Sequence, residues 1–253
     1  MTAIFKREFL SYFRSPVGYV AIALFSFLSG FVFYSQFAVG TVDIADEVIT
    51  LRSFFFVIVP IFTMGLLSED KKRGTDVLYY TTPINLFNVV VGKVLAAFAL
   101  YAIMFVNVII HIIVTVNCGG VFGVGAVGTI IVFFFMAFMY ITIGLFASAI
   151  TDSQIISAIV ALVIILITQL LGTIGNYLGA TIKSIFAGIN TGFANNAGSF
   201  VSNAIAWLDP FLKTEDFRLG IFSVSSLVFL VSVGILFLYL TFRVLDKKRW
   251  SQN

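Results

Sequence analysis

Residues 94–151 read VLAAFALYAIMFVNVIIHIIVTVNCGGVFGVGAVGTIIVFFFMAFMYITIGLFASAIT, without a single Asp, Glu, Lys or Arg. A helix that crosses about 30 Å of hydrocarbon at about 1.5 Å per residue needs roughly 20 apolar residues. The run is long enough for two crossings, and the glycine-rich stretch 117–128 divides it. Its apolar residues fall on every side, whereas the strands of a membrane barrel alternate apolar and polar faces. The fold class expected is all-α, a polytopic helical membrane bundle.

Working outward, further spans are expected at 17–39, 155–178 and 219–242, and a shorter one at 54–67. The last becomes long enough if Ile49 and Leu51 join it and Arg52 snorkels to the interface. Pro60 is expected to kink it. That makes six transmembrane helices in a single domain, residues 1–253. The apolar run at 17–39 is too long for a signal peptide, so no cleavage is expected. Residues 184–207 are uncharged but rich in Asn, Ser and Gly, which suits an extracytoplasmic, membrane-dipping segment (179–218) between spans five and six better than a seventh crossing.

The composition agrees with this reading. Hydrophobic residues make up 60% of the chain and charged residues 11%, against about 25% charged in soluble domains. A soluble enzyme and a nucleic-acid binder with a basic face are both excluded. A single cysteine, Cys118, excludes an intrachain disulfide and a multi-cysteine metal cluster, and no metal site is expected. The basic residues cluster before span one (Lys6, Arg7, Arg14), between spans two and three (Lys71, Lys72, Arg73, Lys93) and after span six (Arg243, Lys247, Lys248, Arg249). Basic loops stay in the cytoplasm. Both termini are therefore expected there, with Asp43, Asp46 and Glu47 outside.

Two cytoplasmic stretches carry candidate functional residues. Residues 4–14 place Phe5, Phe9, Tyr12 and Phe13 on one helical face and Arg7, Ser11 and Arg14 on the other, the pattern of an amphipathic helix lying at the membrane surface. Pro16 marks the turn into the first span. The loop 68–83, SEDKKRGTDVLYYTTP, concentrates charge in a chain that otherwise avoids it. Gly74 is expected to break the helix leaving span two, Thr75 to cap a new one, and Asp76 to favour its first turn. A two-turn helix closed by Pro83 would show Val77, Leu78, Tyr79 and Tyr80 to water. An ordinary solvated turn is the plain alternative; a docking knob for another protein explains the apolar residues better.

At this point the chain resembles the permease subunits of type 2 ABC transporters, and in particular the gliding-motility-associated branch. The resemblance rests on Lys6-Arg7-Glu8-Phe9 through Tyr12-Phe13-Arg14-Ser15-Pro16-Val17-Gly18-Tyr19, and on Glu69-Asp70, Gly74-Thr75, Leu78, Pro83 and Gly92-Lys93. It rests also on Leu208-Asp209-Pro210-Phe211, Phe217-Arg218-Leu219-Gly220 and Lys248-Arg249-Trp250. The pattern departs at Val77, where the family usually has Glu, and at Asp70 in place of a second Glu.

The resemblance implies a permease that pairs with a second copy, as homodimer or heterodimer, and recruits a cytoplasmic ATP-binding subunit. ATP and Mg would be held by that subunit. The coupling residues would be Glu69, Asp70, Arg73, Gly74, Thr75, Asp76, Val77, Leu78, Tyr79 and Pro83, flanked by an elbow helix carrying Phe5, Arg7, Phe9, Phe13 and Arg14. It further implies an exporter in a bacterial inner membrane and, for the gliding-type branch, an extracytoplasmic auxiliary protein.

The residues themselves exclude other chemistries. Gly92-Lys93 is followed by Val94, and Phe87 stands where a P-loop has its first glycine, so the chain has no usual ATP site of its own. His111 is the only histidine, and there is no G-x-S-x-G motif and no Asp pair within a span, which leaves no catalytic set for intramembrane hydrolysis. The spans are read as free of charge, with Arg52 and Lys93 at boundaries, which argues against an ion-driven carrier. Asn107, His111 and Gln169 are polar candidates for a path or interface, with interhelical hydrogen bonding as the plainer role. The alternatives to a permease are a membrane scaffold joining an ATPase to an outer partner, or a freestanding channel or carrier.

Overall fold

The computed structural model describes residues 2–81, 85–187 and 191–251. Among these residues twelve α-helices follow one another: α1 Thr2–Arg14, α2 Pro16–Val39, α3 Ile44–Ser53, α4 Phe55–Thr63, α5 Ser68–Lys72, α6 Val77–Thr81, α7 Leu86–Met104, α8 Val106–Asn117, α9 Val124–Ile150, α10 Gln154–Phe186, α11 Thr191–Ala206 and α12 Val224–Ser251. A 3-10 turn, Leu212–Leu219, leads into α12. Among the described residues no strand occurs. Among the described residues five helical stretches are long and apolar enough to cross a membrane: α2, α7 with α8, α9, α10 and α12. They become six if α3 and the stretch Phe55–Lys72, bent by 60° at Phe54, count as one span. That bend falls six residues before Pro60, which lies inside α4.

Helix α9 is the centre. It packs against α3, α4, α7, α10, α12 and the 3-10 turn, so most of its side chains are buried, Phe133, Met136 and Tyr140 completely. Around it rings interlock: Phe133 lies 4.8 Å from Phe55 and 5.4 Å from Tyr101, and Phe134 lies 4.8 Å from Phe105. Lipid tails are as apolar as these side chains, so helices in a membrane associate through close packing rather than escape from water. Small residues provide that closeness. A Cβ on Gly144 of α9 would collide with Thr63 of α4.

The α10 helix has 33 residues, about 50 Å at 1.5 Å per residue, and so outruns roughly 30 Å of hydrocarbon by several turns. Its far end doubles back: α11 lies along α10, with Gly198 facing Gly179 and Ile205 facing Gly175. Polar Asn195, Asn196 and Asn203 point away into the surroundings. The chain then turns at Asp209. Its carboxylate accepts from the backbone N–H of Phe211 at 2.7 Å and, on its other oxygen, of Gly172 in α10 at 2.8 Å. This stitches the Leu-Asp-Pro-Phe turn onto α10.

Charges also sit where the sequence suggested none. Glu47, expected in an outer loop, is fully buried on α3 and meets His111 of α8 at 2.6 Å and the Ser29 hydroxyl of α2 at 3.0 Å. Arg52 does not snorkel; its guanidinium is buried, donates to Thr214 of the 3-10 turn at 2.8 Å and covers the Phe211 ring. The polar residues of α3 thus tie it to α2, α8 and the 3-10 turn, which accounts for a bend at the α3–α4 junction.

Glycine contacts give a direct test of this packing. Gly144→Ala should lower stability by about 1–3 kcal/mol, because an added methyl in a full core forces its neighbours apart. Gly30→Ala on α2, where a Cβ meets nothing within 4 Å, should be neutral or slightly stabilising through helix propensity. Thermal unfolding of the two variants in detergent measures the difference.

Candidate functional site

The basic segments converge on one end of the bundle, where α1 lies against the start of α7, α5 and α6 sit beneath it, and the end of α12 reaches the α9–α10 junction. Leaving α4, the backbone is clamped by Ser148 of α9, whose hydroxyl accepts from the N–H of Leu67 and of Ser68, each at 2.9 Å. The short helix α5 then ends as the sequence suggested. Gly74 has φ +67°, its N–H bonds to Lys71 O at 3.0 Å, and the Thr75 N–H bonds to Asp70 O at 2.9 Å. This left-handed closure favours a residue without a Cβ.

Beyond the turn, α6 spans Val77–Thr81, one short turn further into the chain than the helix expected from Gly74; Pro83 lies outside the described residues. The Thr75 hydroxyl bonds back to the Asp70 carboxylate at 3.1 Å and to the Asp70 carbonyl at 3.2 Å. Val77 and Leu78 are exposed, 46% and 54%. Tyr79, expected in water beside them, is instead buried and points back into the protein. Asp76 is half-buried at the head of the helix.

What Tyr79 meets is a cluster of four charges. Lys93 of α7 is completely buried. Its ammonium lies 2.6 Å from Asp70 of α5 and 3.0 Å from Glu8 of α1, and it also donates to the Leu66 carbonyl. Arg7 grips Glu8 at 2.5 Å, donates to the Tyr79 hydroxyl at 2.9 Å and lies 3.7 Å from Asp70. Tyr79 in turn donates to Asp70 at 2.6 Å. Burial opposes the Arg7 charge, but its bonds to Glu8 and Tyr79 outweigh this and raise its pKa above the ordinary value. Burial and the Asp70 charge push the Tyr79 phenol up as well, so it stays a neutral donor. Two cations and two carboxylates balance, and four helices (α1, α5, α6 and α7) meet in one network.

The acidic pair therefore divides. Asp70 turns inward to Lys93, while Glu69 turns outward to Arg73 at 2.5 Å, an i,i+4 pair at the surface. Such an exposed pair contributes only about 0.3–0.5 kcal/mol. The neighbouring Lys71 points inward too: its ammonium lies within hydrogen-bond reach of the carbonyls of Ser148, Ala149 and Thr151 at 3.4, 2.5 and 2.7 Å. It thus caps the negative end of α9, and the loop is joined to the central helix.

Helix α1 differs from a simple two-faced helix. Phe5, Phe9 and Phe13 form a rib, the first pair stacked and the second edge-to-face, with ring centroids 5.8 and 5.3 Å apart, and Arg14 is exposed with Arg7 and Ser11. Tyr12 leaves the expected Phe face; together with Glu8 it makes a third, protein-facing side and donates to Phe62 O at 2.8 Å. The remaining candidates do not gather into one path. Asn107 donates to Ser26 of α2 at 2.7 Å and His111 pairs with Glu47, whereas Gln169 sits on α10, away from both, with its amide nitrogen buried and unpartnered among the described residues.

Sequence reasoning passed over Glu8, Lys71 and Lys93 as site residues. Lys93 stands four residues from Val89 and one from Val94, on a helix with no other charge, and a lone lysine there already signals a buried partner. Its place in the interior of α7 also removes Gly92-Lys93 from any phosphate-binding loop. Among the described residues no group of three or more acidic, His or Cys side chains could hold a metal.

A family profile described as ABC-2 family transporter protein matches residues 2–250. No individually curated protein matches the chain.

Removing one partner of a buried ion pair leaves the other uncompensated, at a cost of about 3–5 kcal/mol. Lys93→Met should therefore destabilise the protein by that order. Lys93→Met with Asp70→Asn and Glu8→Gln should recover a large part of the loss, as read by thermal unfolding in detergent.

Proposed function

The chain belongs to the ABC-2 family of transporter proteins, and from that footing we propose that it is the membrane-spanning permease of an ATP-driven exporter, engaged by a separate ATP-binding subunit at α6. The observation that carries the reading is the split within α6. Val77 and Leu78 face outward while Tyr79, on the same short helix, is anchored to Asp70, Arg7 and, through Asp70, to Lys93. A helix made only to turn the chain has no reason to combine an apolar tip with a charged root.

On this reading α6 is the coupling helix and α1 the elbow beside it, with its phenylalanine rib at the membrane surface. α3 and α4 form one bent span, which gives six crossings and places both termini in the cytoplasm of a bacterial inner membrane. ATP and Mg sit on the partner subunit, and a second permease copy completes the transport unit. When the ATP-binding subunits close, they displace the tips of α6. The Tyr79–Asp70–Lys93 connection carries that displacement to α7, the Glu8–Lys93 contact carries it to α1, and Lys71 carries it to the end of α9. The gliding-type branch, with an auxiliary protein on the outer side, is the finer assignment suggested by the basic elbow, the Ser-Pro-Val-Gly-Tyr entry and the basic-Trp terminus.

The test is co-purification with the ATP-binding subunit. Val77→Asp with Leu78→Asp should abolish association while leaving the thermal unfolding of the permease unchanged, because both side chains are exposed. Undiminished association would overturn the coupling role of α6, and the absence of any ATP-binding subunit from the unaltered protein would favour a freestanding channel.

A further inference from the structure

Near the end of α12 an open groove of about 620 Å³ runs between this helix and the last turns of α9. Its walls are Phe146 of α9 and Leu240, Arg243, Val244, Asp246 and Lys247 of α12. Leu240, Arg243, Val244 and Lys247 follow the spacing i, i+3, i+4, i+7, which puts them on one helical face. The face continues toward the bundle centre through Phe237, whose ring lies 5.6 Å from that of Phe146. A stripe of this kind ordinarily packs against another helix. Here its inner part is apolar and its outer part cationic, and Arg243 and Lys247 are exposed. Among the described residues neither makes a hydrogen bond or an ion pair. They contrast with the adjacent Lys248, which reaches Asp152 at 3.8 Å.

We infer that this groove binds one anionic phospholipid. The occupant follows from the order of the chemistry along the helix. An acyl chain would lie on Phe146, Phe237, Leu240 and Val244, and the phosphate would bridge the guanidinium of Arg243 and the ammonium of Lys247 one turn further out. Arginine offers a phosphate two parallel N–H donors, and lysine adds a point charge. Asp246 sets the sign of the remaining contribution. It lies on the same wall and leaves it with one net positive charge, enough to favour an anionic headgroup over a zwitterionic one and small enough for removal of the carboxylate to matter. A second protein copy is the other candidate occupant, but an apolar interface would leave both cations buried without partners, which is costly. The inference needs only that α12 spans the membrane and does not rest on the coupling role of α6.

The experiment is native mass spectrometry of the full chain in mild detergent, titrated with phosphatidylglycerol or with phosphatidylcholine of the same acyl chains. Each basic residue near an anionic headgroup is worth about a fivefold change in affinity. The unaltered protein should retain one phosphatidylglycerol under conditions that strip phosphatidylcholine. Arg243→Gln with Lys247→Gln should weaken that binding by about 25-fold, Arg243→Lys should largely keep it, and Asp246→Asn should strengthen it. Equal retention of the two lipids overturns the inference, as does unchanged affinity in the double variant. A double variant that passes from dimer to monomer with its lipid retention intact also overturns it, since a second copy would then be the occupant. Should the double variant not fold, Asp246→Asn decides alone: tighter binding supports the site, and unchanged or weaker binding contradicts it.

Discussion

One buried ammonium organises one end of this helical bundle. Lys93 lies in the interior of an apolar helix with no water to solvate it, and an isolated charge in that position costs several kcal/mol. The cost is offset only when Glu8 and Asp70 approach together, and these stand on α1 and α5, which lie far apart from one another and both ahead of α7 in the chain. Arg7 and Tyr79 then donate to the same two oxygens that face Lys93, Glu8 Oε1 and Asp70 Oδ2. Helices α1, α5, α6 and α7 are thereby fixed relative to one another. Apolar packing alone would allow them to slide.

The opposite end of the bundle uses the same device on α3. Asp46 reaches Arg218 at 2.7 Å, Glu47 reaches His111, and Arg52 reaches Thr214, so three polar side chains of one short helix grip α8 and two points of the 3-10 turn. Between the two polar ends runs α9, held by ring contacts and by glycine approaches with no ion pair along its length. Polar contacts therefore set the positions of the helix ends, and close packing fills the middle. In such a layout the polar helix ends are the stiff joints and the apolar centre is the deformable part.

Much of this is legible in the sequence, and the rest is hidden for a physical reason. The charge-free run 94–151 sufficed for two spans, the polarity of 184–207 kept α11 from being counted as another, and Gly74 marked the end of α5. The side on which a charge points was harder to see. In the sequence Glu47 reads as an outer-loop residue with Asp43 and Asp46, because the three are close in the chain. Yet Ile44, Glu47, Val48 and Leu51 share one helical stripe, and it is this stripe that is buried. In the sequence Tyr79 reads with Val77 and Leu78 as one apolar knob. On a five-residue helix the wheel gives no reliable face, and only the partner hydroxyls and carboxylates from α1 and α5 show that its ring turns inward. Asp70 and Lys93 are separated by a helix and a loop, so their pairing became visible only once the chain had folded back.

The central claim is that α1 and α6 move as one body because both are locked to Lys93. Pulsed electron paramagnetic resonance between spin labels at Lys6→Cys and Asp76→Cys, with Cys118 replaced and the ATP-binding subunit bound, measures this directly. The account predicts that the distance within one chain stays the same with and without trapped nucleotide, while the distance between the α6 helices of the two permease copies changes. An α1–α6 distance that changes when nucleotide binds would contradict it.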